Sequence, residues 1–118
     1  MVCEGPISYI GQSNVQADID NFKAAFSGTG HTEAFIPAVA PGTIELQQKN
    51  EYYPTDEAYL FAIADAMQEE SKAITDAGFT LQLDDPRVVT QYGMPDPAPT
   101  IEEYRRFAAL REKPSTTP

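Results

Sequence analysis

Residues 55–86 constrain the fold of this chain more than any other part of its sequence. The first part of this segment carries apolar residues at the three- and four-residue spacing of one helical face. These residues are Leu60, Ile63, Met67 and Ile74. Gly78 follows where a glycine commonly ends a helix, and the apolar run at residues 79–83 predicts a strand. The pattern therefore predicts a helix of about twenty residues that leads directly into a strand.

The start of this predicted helix carries its own signals. Thr55 is a candidate N-cap, and Asp56 and Glu57 lie in the first turn, where the helix dipole favours negative charge. Several alanines along the helix allow close approach to a sheet: Ala62, Ala64, Ala66, Ala73 and Ala77. We therefore expect this helix to pack on a sheet.

An earlier strand, helix and strand pattern precedes this unit. Residues 5–11 place Ile7, Tyr9 and Ile10 between two glycines and predict a strand. A second apolar helical face follows, formed by Val15, Ile19, Phe22 and Phe26. Residues 33–40 then predict a buried strand.

Boundary residues of these elements are also identifiable. Ser13 or Asn14 can cap the first helix, and Gly28 can end it. Pro37 lacks the amide hydrogen that a strand interior normally uses. Residues 43–49 are predicted to form a short helix, and residues 50–54 an ordered loop.

The predicted order of elements is therefore β-α-β-α-β. Consecutive units of this kind imply parallel strands with helical crossovers. The expected fold class is α/β, either as part of a doubly wound sheet or as part of a barrel. Periodicity does not choose between the two.

The C-terminal part begins with a predicted linker and ends in a helix. Residues 87–99 are rich in proline and predict extended structure. Thr100 and Glu103 form a capping box, which predicts a helix start. The apolar side of this helix consists of Ile101, Tyr104, Phe107, Ala108 and Leu110. Residues 113–118 are expected to be a disordered tail.

Charge excludes several classes of partner. Acidic residues outnumber basic ones 18 to 8, giving a net charge of −10. This charge opposes attraction to phosphate backbones and anionic membranes, so neither nucleic acid nor membrane is expected as a partner. No apolar run approaches the ~20 residues of a membrane-spanning helix, and the N-terminus lacks a secretory pattern. A cytoplasmic location is expected.

The chain contains one cysteine and one histidine. Cys3 cannot form an internal disulfide, and Cys3 with His31 cannot furnish a multi-ligand zinc site of nitrogen and sulfur donors. Cys3 has no flanking histidine or lysine, so it is interpreted as a packed or idle thiol and not as a nucleophile. His31 lies in a glycine-rich loop and is expected to face solvent.

Asp84 and Asp85 stand at the predicted carboxyl end of the strand at residues 79–83. In α/β sheets and barrels, ligands bind beyond the carboxyl ends of the strands. The two carboxylates are therefore the candidate site. The competing interpretation is that Asp84, Asp85 and Pro86 merely end the strand and start a turn.

Four sequence blocks, taken together, resemble the cobalamin-independent methionine synthase family. The blocks are GPISY (residues 5–9), EAFIPAVAPGT (33–43), NEYYP (50–54) and DAGFTLQLDDP (76–86). The likeness extends over about residues 3–111 and corresponds to only part of a family member. Family members are similar in fold to uroporphyrinogen decarboxylase and form a (β/α)₈ barrel, typically of ~250 residues.

This resemblance implies an incomplete domain. Three predicted strands cannot close an eight-stranded barrel, so residues 1–112 are expected to form a β-α-β-α-β segment of a (β/α)₈ TIM barrel. Complete members transfer a methyl group from a folate donor to a thiol such as homocysteine, and a zinc ion activates the thiol. The family's zinc ligands lie beyond the strand that carries Asp84, so no cofactor is expected in this chain and it is expected to be inactive alone.

The resemblance also assigns roles to the two carboxylates. Asp84 matches the family's strand-end acid that holds the amino group of the thiol amino acid. Asp85 stands where methionine synthases usually carry glutamate and shorter relatives often carry aspartate. Both are therefore expected to be substrate-binding residues. Tyr52 and Tyr53 resemble a block near the barrel mouth, but aromatics before a helix are more often packing residues.

The Glu69 and Glu70 pair and the arginines at 105, 106 and 111 are interpreted as solvated helix faces. A noncatalytic module that pairs with a complementary or full-length barrel is the alternative function, because a barrel segment exposes strand edges. An independent enzyme using Asp84 and Asp85 as an acid–base pair is disfavoured, because adjacent strand residues point to opposite faces.

Overall fold

A computed structural model describes residues 1–95 and 97–116, with the backbone alone for residues 114–116. The fold is mixed α/β. In chain order the elements are β1 (Val2–Cys3), α1 (Gln12–Phe26), β2 (Phe35–Val39), α2 (Pro41–Glu45), β3 (Lys49–Asn50), α3 (Asp56–Asp76), β4 (Thr80–Asp84), α4 (Pro86–Thr90), a 3₁₀ turn (Gln91–Gly93) and α5 (Ile101–Thr116).

Helix α3 confirms the strongest sequence prediction. The Thr55 hydroxyl oxygen accepts a hydrogen bond from the backbone N–H of Ala58 at 3.0 Å, which satisfies a donor that the first turn leaves unpaired. At the other end Gly78 adopts φ +91°, a left-handed conformation that suits glycine. The chain therefore leaves α3 in a direction that starts β4 two residues later.

Strands β2 and β4 form a parallel two-stranded sheet. Phe35 pairs with Thr80 at one end of the register, and Val39 pairs with Asp84 at the other. Pro37 lies inside β2, yet it is tolerated because each strand of a two-stranded sheet has a free edge. The predicted strand–helix–strand unit is therefore confirmed. The expectation that its first strand is buried is wrong, because Ala38 is the buried residue of β2 while Phe35 and Val39 are exposed on the open face of the sheet.

The larger core lies where α1 and α3 cover one face of this sheet. Its buried residues are Val15, Ile19, Ala38, Ile74 and Phe79. The Phe22 ring stacks on Phe79 with centroids 4.9 Å apart. The apolar stripe predicted for α1 is thus confirmed, although Gly11 occupies the N-cap position and neither Ser13 nor Asn14 does.

The strand predicted at residues 5–11 is wrong. A shorter strand, β1, precedes it and pairs in parallel with β3, in a sheet separate from β2 and β4. The segment after β1 is fixed by side chains: the Ile7 N–H donates to the Tyr53 hydroxyl at 2.9 Å, and the Tyr9 hydroxyl donates to Glu70 at 2.6 Å. These long-range hydrogen bonds take the place of the backbone hydrogen bonds that a strand would have made with a neighbouring strand.

The prediction that Glu69 and Glu70 form a solvated face of α3 is also wrong, because both side chains accept hydrogen bonds from the segment at the start of α1. Burial, the hydrogen bond to Glu70, and the charges of Glu70, Glu69 and Asp18 raise the pKa of Tyr9. Gln12 donates its side-chain amide to Glu69 at 3.0 Å. Glu69 and Glu70 therefore anchor the segment before α1 onto α3.

The C-terminal part departs from its prediction in two places: residues 86–93 are helical and not an extended linker, and α5 continues to Thr116. Earlier in the chain, the short helix expected at residues 43–49 is α2 at Pro41–Glu45. Thr117 and Pro118 of the expected tail lie outside the described residues. The capping box is confirmed, since the Thr100 N–H donates to Glu103 at 2.8 Å and the Glu103 N–H to the Thr100 hydroxyl at 3.2 Å.

The face of the sheet opposite the helices is open. Phe35 is 54% exposed, and Pro37, Thr80, Gln82 and Asp84 on the same face are also exposed. The radius of gyration is 16.5 Å, against about 13–14 Å for a compact chain of this length. In the part of the chain that the structure describes, no helix is both long and apolar enough to cross a membrane.

Candidate functional site

The candidate site lies at the carboxyl edge of β2 and β4. Asp84 is the last residue of β4, and its backbone carbonyl accepts a hydrogen bond from Ala40 N–H at 3.0 Å. Its side chain is exposed, and no group within residues 1–95 and 97–113 bonds to its carboxylate. The strand therefore fixes the backbone of Asp84, while the carboxylate oxygens stay free for a ligand.

Asp85 has a different environment. The Thr43 hydroxyl donates to its Oδ1 at 2.6 Å, and the Arg87 N–H donates to the same hydroxyl oxygen at 3.4 Å. Thr43 is buried in α2. Asp85 therefore ties α2 to the turn that opens α4, which is a structural role.

Gly42 permits this close packing. A Cβ added there would lie 3.1 Å from Asp85 Oδ2 and 3.1 Å from Arg111 Cβ. Real Cβ contacts are seldom this short, so a larger residue would push apart the carboxylate and α5. The absence of a side chain at Gly42 thus lets Asp85 and Arg111 both pack against the same point of the α2 backbone.

Arg111 and Glu45 form a buried ion pair beside the site. The guanidinium donates through Nε to Glu45 Oε2 at 2.8 Å and through Nη2 to Oε1 at 3.0 Å. The two side chains are only 8% and 7% exposed. Arg111 also donates to the Phe107 carbonyl and lies 3.6 Å above the centre of the Phe107 ring. Its donors are therefore used within the protein.

The prediction that Arg111 belongs to a solvated face is wrong. A signal for burial was present, because Arg111 follows Tyr104 by seven residues and Phe107 by four, which places it on the apolar side of α5. No local pattern in the sequence indicated that Glu45 would be its partner. Arg106, by contrast, is 70% exposed and lies 4.0 Å from Glu102.

The charges at this edge favour a cation. Arg111 and Glu45 neutralise one another, whereas neither Asp84 nor Asp85 forms an ion pair with a basic side chain among the described residues. In the core cluster that Tyr59 forms with Cys3 and Ile63, burial and the influence of Cys3, Glu45 and Tyr53 raise the pKa of Tyr59. A small ligand with an ammonium group fits this balance of charge.

Tyr53 packs against its neighbours, as is expected for an aromatic residue that precedes a helix. Its ring lies 5.8 Å from that of Tyr59, and Asn50 accepts its backbone N–H at 2.8 Å. The predicted ordered loop is therefore confirmed. Tyr52 is half-exposed and contacts the Tyr53 ring edge-on.

The residues present do not fit a zinc site. The Cys3 thiol is buried and donates to the Gly5 carbonyl, and the His31 ring stacks on Phe26 with centroids 6.2 Å apart. Within the described ranges, no three histidine, cysteine or acidic side chains cluster in a way that could hold a metal.

Comparisons of the chain with protein-family models, with curated proteins and with solved structures found no match. The geometry at the carboxyl edge and the sequence blocks therefore carry the functional argument.

Proposed function

We propose that this chain is a partial-length member of the cobalamin-independent methionine synthase family, with residues 1–112 forming part of a (β/α)₈ barrel. Complete members transfer a methyl group from a folate donor to a thiol such as homocysteine. The parallel β2–α3–β4 unit supports the proposal, since it is the repeating unit of such a barrel. An exposed carboxylate at its carboxyl end is in the position where barrel enzymes place ligand-binding residues.

The large accessible surface area supports the proposal that the chain forms only part of a barrel. The chain exposes 7803 Å², against about 6300 Å² expected for a folded monomer of 13.0 kDa. The excess agrees with the open sheet face that carries Phe35 and Gln82. In a complete barrel that face would line the filled interior.

The role proposed for Asp84 is to hold the ammonium group of a thiol amino acid. The observation that carries it is the contrast between the two neighbours: Asp84 is exposed and unbonded, whereas Asp85 is occupied by Thr43. A charge-assisted hydrogen bond to an ammonium is about twice as strong as a neutral one. Asp85 therefore positions the turn, and Asp84 contacts the substrate.

The chain is proposed to be inactive in methyl transfer by itself. Thiol activation in the family uses zinc, and the donors among the described residues do not assemble a site for it. Purified protein is expected to contain less than one zinc per chain and to leave homocysteine unmethylated. One bound zinc per chain, or turnover without a second protein, would contradict this part of the proposal.

Binding of L-homocysteine tests the role of Asp84 separately. Calorimetry on the wild type is expected to show weak binding that Asp84→Asn abolishes, because the ammonium loses its ionised acceptor. Asp85→Asn is the matched control, since it removes the same charge from the adjacent position. Equal binding by both variants would refute the assignment of Asp84.

A noncatalytic module that pairs with a complementary or full-length barrel is the second candidate. The free edge of β4 and the open sheet face favour it, because unpaired strand edges recruit other chains. Gel filtration with light scattering distinguishes the candidates. A well-behaved monomer that also fails to bind a complementary barrel fragment would count against the module.

A further inference from the structure

A solvent-open groove runs along α3 beside the free edge of β4. Its floor is apolar, with Phe61 and Ala64 from the helix and Leu81 and Leu83 from the strand. The groove has a volume of about 570 Å³, and Leu83 in its floor is 37% exposed. It is separate from the carboxylate at Asp84.

The shape of the groove suits an elongated partner. Its lining on α3 extends from Phe61 to Thr75, a rise of about 21 Å along the helix axis. Small-molecule sites enclose most of their ligand, whereas this floor is open to solvent along its length. A helix lying beside α3 would cover Leu81 and Leu83, as packed layers of α/β proteins do.

The rim of the groove is acidic. Asp65 and Glu69 line it, and its lysine, Lys72, already pairs with Asp76 at 2.5 Å. A second copy of the chain would bring another net charge of −10 to this rim, so self-association is opposed. A partner with basic flanks is complementary to it.

We infer that this groove docks an amphipathic helix of another polypeptide, with an apolar stripe on Leu81 and Leu83 and lysine or arginine side chains towards Asp65 and Glu69. This is the helix-in-groove mode of peptide recognition. The inference does not depend on the role of Asp84 or on barrel membership. Asp84→Asn should therefore leave helix binding unchanged.

The test uses a synthetic leucine–lysine peptide of about 18 residues with one apolar face, and the same peptide with glutamate in place of lysine. Fluorescence anisotropy is expected to show binding of the lysine peptide and at least about tenfold weaker binding of the glutamate peptide. Leu83→Lys is expected to weaken binding of the lysine peptide by about tenfold or more. Ile10→Lys is the matched control, because Ile10 is 87% exposed, lies outside the groove and receives the same charge.

A second pair of variants tests the same inference if Leu83→Lys fails to fold. Asp65→Lys alters the rim at an exposed position, and Glu112→Lys makes the same charge change on exposed α5. Only the first is expected to weaken binding. Equal losses within either pair would show general charge attraction and overturn the inference, as would no binding of the lysine peptide.

Self-association is the remaining outcome to distinguish. If light scattering shows a dimer that Leu83→Lys dissociates while Ile10→Lys leaves it intact, a second copy fills the groove. That result would also overturn the proposed heterologous helix.

Discussion

The helix-covered face of the β2–β4 sheet and its carboxyl edge are held together by different forces. Under the helices, buried apolar side chains such as Ile74 and Phe79 supply the stabilisation. At the edge, the buried contacts are polar: Arg111 with Glu45, and Thr43 with Asp85. Apolar packing tolerates many sequences of similar volume, whereas a buried charge pair fails when either partner is lost. The edge is therefore the more fragile region and the one that fixes Asp84.

Removing Arg111 should have the largest effect. Arg111→Met leaves the Glu45 carboxylate buried without its partner, and we expect a loss of about 4 kcal/mol in the free energy of unfolding, measured with urea. Arg106→Met is the control, and its loss should be below about 1 kcal/mol because Arg106 is exposed. Replacing Glu45 and Arg111 together by leucine and methionine should restore most of the loss. A double variant no better than Arg111→Met would contradict the ion-pair account.

Truncating the apolar core should come next. Ile74 is 1% exposed, and Ile74→Ala should cost about 3 kcal/mol because it removes buried methyl groups and leaves a cavity. Leu83→Ala makes a comparable truncation at a 37% exposed position and should cost about 1 kcal/mol or less. Equal losses in urea unfolding would mean that the groove beside β4 is closed in solution.

Loss of the α3 cap should have a smaller effect. Thr55→Ala removes the acceptor of the Ala58 N–H and should cost about 1 kcal/mol. Ser13→Ala changes the residue that sequence suggested as the α1 cap, yet the structure shows no side-chain cap there. Its thermal midpoint should match the wild type. A lower midpoint for Ser13→Ala than for Thr55→Ala would reverse the assignment.

The smallest effect should be the pH dependence of the α5 cap. The hydrogen bond from the Thr100 N–H, and then that from its hydroxyl, lower the pKa of Glu103 from its usual 4.5. Since the pKa is lower in the folded state, the ionised carboxylate stabilises the fold above the unfolded pKa, and this contribution disappears as pH falls through the folded pKa. The stability difference between wild type and Glu103→Gln should therefore shrink from pH 7 to pH 3. Glu102→Gln, in the same turn but outside the capping box, should show no such change.

Local patterns were enough to predict the parts of the fold that local chemistry decides. The helical period, the Thr55 cap and Gly78 defined α3, and the Thr100 and Glu103 pair defined the start of α5. Pro86 at the first turn of α4 was an available signal, since proline is common at that position, but the proline-rich composition that follows pointed to a linker.

Long-range contacts decided the rest. Residues 5–11 have strand composition, but hydrogen bonds from Ile7 to Tyr53 and from Tyr9 to Glu70 hold them in another conformation. The partner of Arg111 lies 66 residues away, so no window of sequence could identify it. At the candidate site, position at a strand end indicated both aspartates, yet only the fold shows that Thr43 occupies Asp85.

Amide NMR during titration with L-homocysteine shows which residues the amino acid contacts. We expect the largest shifts at the carboxyl edge, in residues 39–43 and 82–86, and we expect Asp84→Asn to remove them while Asp85→Asn preserves them. Shifts confined to residues 61–75 of α3, or shifts at the edge that survive Asp84→Asn, would contradict the claim that Asp84 binds the ammonium group.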